Sequence, residues 1–445
     1  MNSNLSTKQI MAVGLMLFAL FFGAGNMIFP PFLGQDAGTH VWTAIIGFLI
    51  TGVGLPLLAI IAIARVGDVQ TMASRVHPVY GVIFTVIMYL VIGPLFAIPR
   101  TGTVSYEIGV IPFLSESAVN SPWPLIIFSI VFFAITAWLA MNPTKLVDTI
   151  GKILTPALLI ILALIVIKAL ITPLGEPQAP VGPYADGAFF KGFIEGYSTM
   201  DTIAALVFGI IVITSIQGLG VSNKKSITKI CVQAGLIAAA GLALVYLSLA
   251  YIGSTAPDAI GIQENGGALL SKAADHLFGS FGSIILALAI VFACLTTSIG
   301  LVSACATYFN KLMPRFSYKT IVLIFSIFSM IIANIGLTQL IAFSVPVLVI
   351  IYPLAIVLIV LSFFHNFFKG YSLVYIVALI PTGIISIIDG LKAAGLNISA
   401  LTDALGFLPL FNQGIGWVVP AIIGALIGYF IALATGKSAK TIPTN

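Results

Sequence analysis

Two short stretches of this chain combine glycine and polar residues inside strongly apolar sequence. The first, 21–31, reads Phe-Phe-Gly-Ala-Gly-Asn-Met-Ile-Phe-Pro-Pro. Glycine weakens a helix and lets another group approach the backbone, and proline tends to end it. A helix that breaks inside a bilayer leaves N–H and C=O groups that protein, water or a ligand must pair. We therefore predict a discontinuous helix whose free backbone groups form a binding site; the alternative is a kink that only permits close packing.

The second stretch, 195–202, places Gly196, three successive hydroxyl-bearing residues at 197–199, and Asp201 ahead of the apolar run 203–213. Ser and Thr compete for backbone hydrogen bonds and often mark loosened helix. The Asp201 carboxylate either binds a cation or ammonium group, or caps the following half-helix through its free N–H groups. The two stretches together predict a pair of interrupted helices.

The ends of these half-helices indicate the ligand. A helix N-terminus at Gly23–Gly25 favours a carboxylate, and the carbonyls that end the preceding halves favour an ammonium group or metal cation. A zwitterion has one group of each kind, so an amino acid fits. Apart from Asp201, no charge is expected near either break in the fold, so an apolar substrate side chain is expected. The predicted substrate-binding residues are Phe21, Gly23, Ala24, Gly25, Asn26, Tyr197, Ser198, Thr199 and Asp201.

Three successive hydroxyls, Thr296, Thr297 and Ser298, follow Ala293 and Cys294 in a third apolar stretch. Hydroxyl oxygens with a neighbouring carbonyl suit a hard cation such as sodium. The alternative is that each hydroxyl donates to a carbonyl one turn earlier. With two broken helices in the same chain, the cation interpretation is favoured.

Arg100 and Glu107 are two further charges within an apolar stretch. Such charges are costly and usually face a cavity or a partner. Their spacing of seven residues places them on one helix face, which predicts a structural ion pair.

The elements that must position these residues are membrane-spanning helices. The chain has 445 residues, of which 60% are hydrophobic and 7% charged, and its mean hydropathy is +1.16. This composition is that of an all-α polytopic membrane protein, and the basic residues form no patch for nucleic acid. Twelve segments are long enough to cross a bilayer: 8–33, 40–64, 79–111, 122–141, 149–171, 196–217, 228–253, 280–308, 319–336, 339–363, 371–390 and 415–435.

The distribution of charge predicts the orientation. With the N-terminus inside, fourteen of the nineteen Lys and Arg residues fall in inner loops and tails. Positive charge stays on the cytoplasmic side, so both termini are predicted to be cytoplasmic in a multi-pass plasma-membrane protein. The opening residues show no removable signal peptide. The basic residues of that side are Lys8, Arg65, Arg75, Lys145, Lys152, Lys224, Lys225, Lys229, Lys311, Arg315, Lys319, Lys369, Lys437 and Lys440.

The interrupted segments are the first and the sixth, which predicts an internal repeat. Five spans per unit is an odd number, so the second copy must insert upside down, as in transporters whose site lies between inverted repeats. The predicted units are 8–171 and 196–363, followed by two further helices in 371–435. Between spans seven and eight, the helical stretch 267–277 predicts either a hairpin over the outer face or an exposed connection.

Other functional classes fit the sequence less well. An enzyme would need a nucleophile with a base or a set of metal ligands, but the histidines lie apart in predicted loops. A channel would need a polar stripe along several spans, whereas the polar residues gather at the two breaks. The cysteines have no disulfide or metal-ligand spacing. The histidines are His40, His77, His276 and His365, and the cysteines are Cys231, Cys294 and Cys305.

The two interrupted stretches also resemble a known family. The sequence 20–31 resembles the first span of the branched-chain amino acid:cation symporters, the BrnQ-type carriers, and 196–201 resembles their sixth. The likeness covers the full length. It implies the LeuT-type fold of the APC superfamily, with five-plus-five inverted repeats, discontinuous helices one and six, and two C-terminal helices. It also implies import of leucine, isoleucine and valine with sodium or a proton.

A more distant likeness implies a cation site. Gly23, Gly25 and Asn26 followed by Pro30 are similar to the first span of the neurotransmitter:sodium symporters, and 295–300 is similar to their eighth. This resemblance implies one bound sodium ion. Its ligands are the backbone carbonyls of Ala19, Phe22 and Ala293 and the hydroxyls of Thr296 and Thr297.

Two features leave the coupling ion open. The Asn26 oxygen could serve a second cation or orient the substrate carboxylate. Asp201 in the sixth-span break departs from the pattern of the neurotransmitter:sodium symporters, which puts the second cation site in doubt. Proton-coupled relatives carry a lysine in span five, where Lys152 is either a counterpart or an ordinary cytoplasmic lysine. We expect a sodium symporter of branched-chain amino acids without an organic cofactor. A proton-coupled symporter of branched-chain or other neutral amino acids is the alternative, and the oligomeric state is left open.

Overall fold

The computed structural model describes residues 5–141 and 159–435, which contain helices but no strands. Eight continuous helical runs in these ranges are long and apolar enough to cross a membrane, and four shorter apolar helices accompany them. Two of the eight runs, Ala24–Val66 and Pro78–Phe113, each join more than one of the helices given next. The helices are α1 (Thr7–Phe21), α2 (Ala24–Ala37), α3 (Val41–Leu49), α4 (Leu55–Val66), α5 (Val69–Ser74), α6 (Pro78–Leu90), α7 (Ala97–Gly109), α8 (Glu116–Val119), α9 (Trp123–Met141), α10 (Leu159–Ile171), α11 (Tyr184–Glu195), α12 (Asp201–Gly218), α13 (Lys224–Ile260), α14 (Gly266–Leu312), α15 (Tyr318–Ala333), α16 (Leu337–Phe363), α17 (Ser372–Ala393), α18 (Ser399–Leu405) and α19 (Val418–Ala434).

Each predicted span overlaps at least one of these helices, although the number of crossings remains a prediction. The beginning of the fifth span, with Lys145 and Lys152, lies outside the described residues. The repeat boundaries also remain predictions. In an all-helical bundle, the backbone N–H and C=O groups form hydrogen bonds within each segment, which is what a lipid environment requires.

The first predicted span is interrupted as expected. Helix α1 ends at Phe21, Phe22 is extended (φ −72°, ψ 96°), and α2 begins at Ala24. The prolines Pro30 and Pro31 do not end the helix, contrary to expectation, because α2 continues to Ala37. Two lost N–H groups are tolerated in a helix whose backbone packs closely on a neighbour, as α2 does on α13.

The sixth span is interrupted in a different way. Helix α11 leads into a 3₁₀ turn at Gly196–Thr199, and Met200 adopts a left-handed conformation (φ 63°, ψ 9°) before α12 begins at Asp201. This conformation is unfavourable for a non-glycine residue, so the surrounding structure must hold it. The prediction of discontinuous helices one and six is confirmed at both places.

The third predicted span also bends, which the sequence analysis did not anticipate. A π-helical turn at Val91–Leu95 separates α6 from α7, and Gly93 within it has non-helical angles (φ −92°, ψ −126°). Pro94 follows directly, so the usual backbone hydrogen bond is missing at this point. The bend sets the direction in which α7 presents Arg100.

The connection between α13 and α14 packs onto the helices around the first break. A Cβ placed on Gly266 would lie 1.7 Å from the Ile28 carbonyl oxygen, so only glycine permits this approach. Asn265 donates from Nδ2 to Glu107 Oε1 (3.0 Å). The first turns of α14, up to the bend at Gly279, therefore cover α2 and α7, which favours the predicted hairpin over an exposed connection.

Candidate functional site

The two helix breaks face a common cavity of about 50 Å³. Its wall comes from the α1–α2 break, the turn before α12 together with the first turns of α12, the bend before α7 together with α7 itself, and helix α14. Because one buried water needs about 10–15 Å³, this volume holds only a few water molecules. The lining residues are Leu20, Phe21, Gly23, Ala24, Gly25, Asn26, Ile92, Ala97, Arg100, Thr101, Thr199, Met200, Asp201, Ala204, Phe208, Thr297 and Leu301.

Asn26 closes the first turn of α2. Its Oδ1 accepts a hydrogen bond from the Gly23 backbone N–H (2.8 Å). This contact is a side-chain cap of a helix N-terminus. This contact gives the Asn26 oxygen a local structural role. Ala24 and Gly25, in the same first turn of α2, line the cavity.

The amide of Asn26 joins the two breaks to each other. Its Nδ2 donates to Asp201 Oδ2 (2.8 Å), which also accepts from the Tyr246 hydroxyl (2.5 Å). All three side chains are buried, and the Asn26 amide also contacts the Tyr246 hydroxyl. The network ties α2 to α12 and α13. A buried carboxylate with two donors is stabilised as a hydrogen-bond acceptor.

Asp201 therefore does not act as the helix cap that was one of its two predicted roles. The carboxylate accepts from Asn26 and Tyr246, whereas Thr199 Oγ1 accepts a hydrogen bond from the Asp201 backbone N–H (3.3 Å). A cation or an ammonium group at the carboxylate remains a prediction. Asp201 has no ion-pair partner within the described ranges.

Arg100 lies at the sixth-span break and was not predicted there. Its Nη1 donates to the Ser198 carbonyl oxygen (2.6 Å) and its Nη2 to Ser344 Oγ (2.9 Å). The guanidinium carbon also lies 5.0 Å from the centre of the Phe29 ring, a cation–π contact. The expectation that Asp201 is the only charge near the breaks is therefore wrong, because the bend before α7 brings a distant residue to this point.

The predicted ion pair between Arg100 and Glu107 is also wrong. Seven helical residues correspond to about 10.5 Å along the axis, so sharing a face does not bring the charged ends together. Glu107 instead accepts from Asn265. Lys191–Glu195 is the one ion pair found among the residues that the structure describes.

Two aromatic side chains stack beside the second break. The rings of Tyr197 and Tyr352 lie 4.4 Å apart at an angle of 16°, and both side chains are fully buried. The predicted residue Tyr197 thus directs its ring against α16, and its hydroxyl has no hydrogen-bond partner among the residues that the structure describes. Tyr197 is not among the residues that line the cavity. Its predicted contribution through the backbone carbonyl remains a prediction.

The predicted cation ligands on α14 lie next to the first break. A Cβ on Gly23 would be 3.7 Å from Thr297 Oγ1, so this hydroxyl is adjacent to the interrupted backbone. Both Thr296 and Thr297 donate to the Ala293 carbonyl (2.8 and 3.0 Å). These are the back-bonds that the alternative interpretation expected, and they leave oxygen lone pairs free. The sodium site with Ala19 and Phe22 stays a prediction.

A cation here would be bound by neutral oxygens. In the described part of the chain, no group of three or more His, Cys, Asp or Glu side chains is placed to hold a metal ion. Backbone carbonyls and hydroxyls are suitable ligands for a weakly bound alkali cation, since such sites need oxygen donors and release the ion again.

Four residues of the site were missed by sequence reasoning: Arg100 as a site residue, Tyr246, Ser344 and Tyr352. The only sequence signal for Tyr246 is a tyrosine within the apolar segment 228–253. Such a residue is an ordinary component of a membrane helix, so its type alone indicates no particular role.

Two interrupted helices that enclose a largely apolar cavity with a few polar side chains, inside an all-helical apolar fold, define the class of secondary membrane transporters. The fold is similar to the structure of Mhp1, a nucleobase-cation-symport-1 family transporter in a closed conformation with bromovinylhydantoin bound. The match has a TM-score of 0.61 at 15% identity and covers 96% of this chain and 93% of that one. This likeness confirms the LeuT-type fold.

Relatives at the sequence level identify the family. The branched-chain amino acid transport protein family matches residues 6–435. The chain is 55% identical to the Bacillus subtilis branched-chain amino acid permease BraB, covering 98% of each. It is 52% identical to the branched-chain amino acid permease BrnQ of the same organism, covering 98% of this chain and 100% of the relative. The chain therefore belongs to this family of multi-pass membrane transport proteins, and it is not an enzyme.

Proposed function

We propose that this protein imports leucine, isoleucine and valine together with sodium by alternating access across the plasma membrane. The observation that carries the proposal is the pair of helix breaks that face one cavity, in a chain whose relatives are named branched-chain amino acid permeases. The substrate carboxylate binds at the N-terminus of α2, near Gly23–Gly25. The ammonium group binds near Asp201 and the carbonyls that end α1, since the Ser198 carbonyl already accepts a hydrogen bond from Arg100.

The small volume of the cavity supports an alternating mechanism. A whole leucine molecule is larger than a few waters, so the helices around the cavity must separate before it binds. We infer that spans one, two, six and seven rock against spans three, four, eight and nine. Sodium at the break of span one and on α14 stabilises one state, because an ion shifts such an equilibrium only by its differential affinity for the two states.

Proton coupling is the second candidate, and one observation favours it. Asp201 is a buried carboxylate that lines the cavity and has no ion-pair partner among the described residues. A carboxylate inside a membrane protein is a natural site for a transported proton. Lys152, the possible counterpart of the span-five lysine in proton-coupled relatives, lies outside the described residues.

Uptake by purified protein in liposomes tests the proposal. We expect an inward sodium gradient to drive leucine accumulation in the absence of a proton gradient. Thr296→Ala and Thr297→Ala should each raise the sodium concentration for half-maximal uptake by about tenfold, which corresponds to roughly 1.4 kcal/mol of lost binding. Thr307→Ala is the matched control, because Thr307 makes the same kind of back-bond (to Ser303, 2.8 Å) at an exposed place on α14.

Two results would contradict this proposal. Unchanged sodium dependence in both Thr296→Ala and Thr297→Ala would show that the assigned ligands are wrong. Accumulation driven by a proton gradient in sodium-free medium, lost in Asp201→Asn, would support the second candidate instead.

A further inference from the structure

The guanidinium of Arg100 is a buried positive charge that has no negative partner among the described residues. Its side chain is 2% exposed. Within the described ranges, no carboxylate lies within ion-pair distance of it, and Glu107 on the same helix is paired with Asn265. An unpaired buried charge inside a membrane protein is strongly unfavourable, and such residues normally face a partner or a ligand.

The same guanidinium has unused hydrogen-bonding capacity. Of its five N–H donors, one at Nη1 and one at Nη2 have the acceptors Ser198 and Ser344, and Nε has no partner in the described part of the chain. Both acceptors are neutral. A planar group with free donors is suited to bind a carboxylate through two parallel hydrogen bonds.

Arg100 also faces the place where the substrate carboxylate is expected. It lines the cavity, and a Cβ on Gly25 would lie 3.4 Å from Nη1. The guanidinium and the N-terminus of α2 therefore approach the same space from two sides. Both favour negative charge, one by its formal charge and the other by its helix dipole.

We propose that Arg100 binds the carboxylate of the transported amino acid together with the N-terminus of α2. This inference rests on the proposed function, because it takes the substrate to be a zwitterion. The carboxylate supplies the missing negative charge, and it is a stronger acceptor than the Ser198 carbonyl or the Ser344 hydroxyl. Asp201 lines the same cavity and remains available for the ammonium group. Arg100 is then a specificity determinant that selects substrates with a carboxylate.

Competition binding with the purified full-length protein in saturating sodium tests the proposal. The ligands are L-leucine and L-leucinol, which lacks the carboxylate. Arg100→Gln should weaken leucine binding at least about tenfold, the effect expected for losing hydrogen bonds to a charged group, and change leucinol binding less than about threefold. Arg100→Lys should recover part of the preference, because it restores the charge but not the planar donors. Arg315→Gln, which removes an exposed arginine, serves as the control.

Equal weakening of both ligands in Arg100→Gln would assign Arg100 a structural role and overturn the proposal. Unchanged leucine binding would also overturn it. So would equal affinity of the wild-type protein for leucine and leucinol.

A measurement on the wild-type protein does not depend on the folding of a variant. Solid-state NMR dipolar recoupling between carboxyl-¹³C leucine and guanidino-¹⁵N arginine should show a contact of about 4 Å, the distance of an ion pair. The other arginines, Arg65, Arg75 and Arg315, are not among the cavity-lining residues. Absence of this contact in protein that binds and transports leucine would overturn the role of Arg100 alone. Absence of leucine binding would overturn the proposed function as well.

Discussion

Asn26 connects the two helix breaks through a single side chain. Its oxygen caps α2 at Gly23, and its amide reaches the Asp201 carboxylate, which Tyr246 also contacts. The two breaks could be predicted from the sequence, because glycine and side chains with amide, hydroxyl or carboxylate groups are unusual in an apolar helix. The contact with Tyr246 was not foreseen, since a tyrosine in a membrane helix has many ordinary roles.

At the residue scale, removing the Tyr246 hydroxyl tests this network. Tyr246→Phe leaves the buried Asp201 carboxylate with one donor fewer, so we expect the free energy of unfolding in mixed detergent micelles to fall by about 1–3 kcal/mol. Tyr251→Phe on the same helix is the control, because Tyr251 is only half-buried. Equal stability of the two variants would show that the network contributes no stabilisation.

The interrupted helices owe their geometry to a few backbone positions. Gly25 lies between the Thr199 carbonyl and Arg100, and an added Cβ would lie 3.3 and 3.4 Å from them. Such distances are tight without being impossible, so a side chain here narrows the cavity without necessarily preventing folding. The positions of the breaks could be predicted from composition, whereas the bend at Gly93 and Pro94 was missed in a long apolar segment.

At the element scale, we expect Gly25→Ala to fold but to reduce leucine uptake in liposomes at least about tenfold, since the methyl group occupies the space for the substrate carboxylate. Gly300→Ala is a matched control, because Gly300 is helical and a Cβ there would meet no atom of the described residues within 4 Å outside its own helix backbone and chain neighbours. Monodisperse elution and thermal unfolding should be similar for the two variants. Uptake by Gly25→Ala at the level of Gly300→Ala would contradict the assigned site.

Arg100 also connects the moving parts of the proposed mechanism. It extends from α7, in span three, to the Ser198 carbonyl in span six and to Ser344 in span ten. In the proposed motion, spans three and six belong to different rocking groups. These contacts must therefore change when the transporter changes state, which places a gate at the substrate site.

At the scale of the whole molecule, distances between spin labels test the rocking motion. Thr43→Cys on α3 and Glu116→Cys on α8 place labels at exposed positions on the two groups. The native cysteines Cys231, Cys294 and Cys305 are buried, so the introduced ones should label selectively. We expect the distance distribution to shift when sodium and leucine are added.

A control pair within one group strengthens this experiment. Glu116→Cys with Ser280→Cys joins two exposed positions that move together in the proposed mechanism, so that distance should stay constant. A constant distance for Thr43 and Glu116 in all conditions would contradict rocking of the two groups.

The sequence by itself determined the helical membrane fold and the places where two helices break. Apolar segment length, together with glycine and hydroxyl content, acts locally, so these features can be derived without knowing which helices pack together. The same local patterns indicated a site for a zwitterion near Gly23 and Ser198.

Only the tertiary structure decided which side chains complete that site. Arg100 reaches Ser198 across 98 positions of the chain, and Tyr246 reaches Asn26 across 220. Such contacts depend on how each helix is rotated and bent against its neighbours. The bend before α7 is one example of such a tertiary feature. For this reason Arg100, predicted as the partner of Glu107 on its own helix, instead lies at the break of span six.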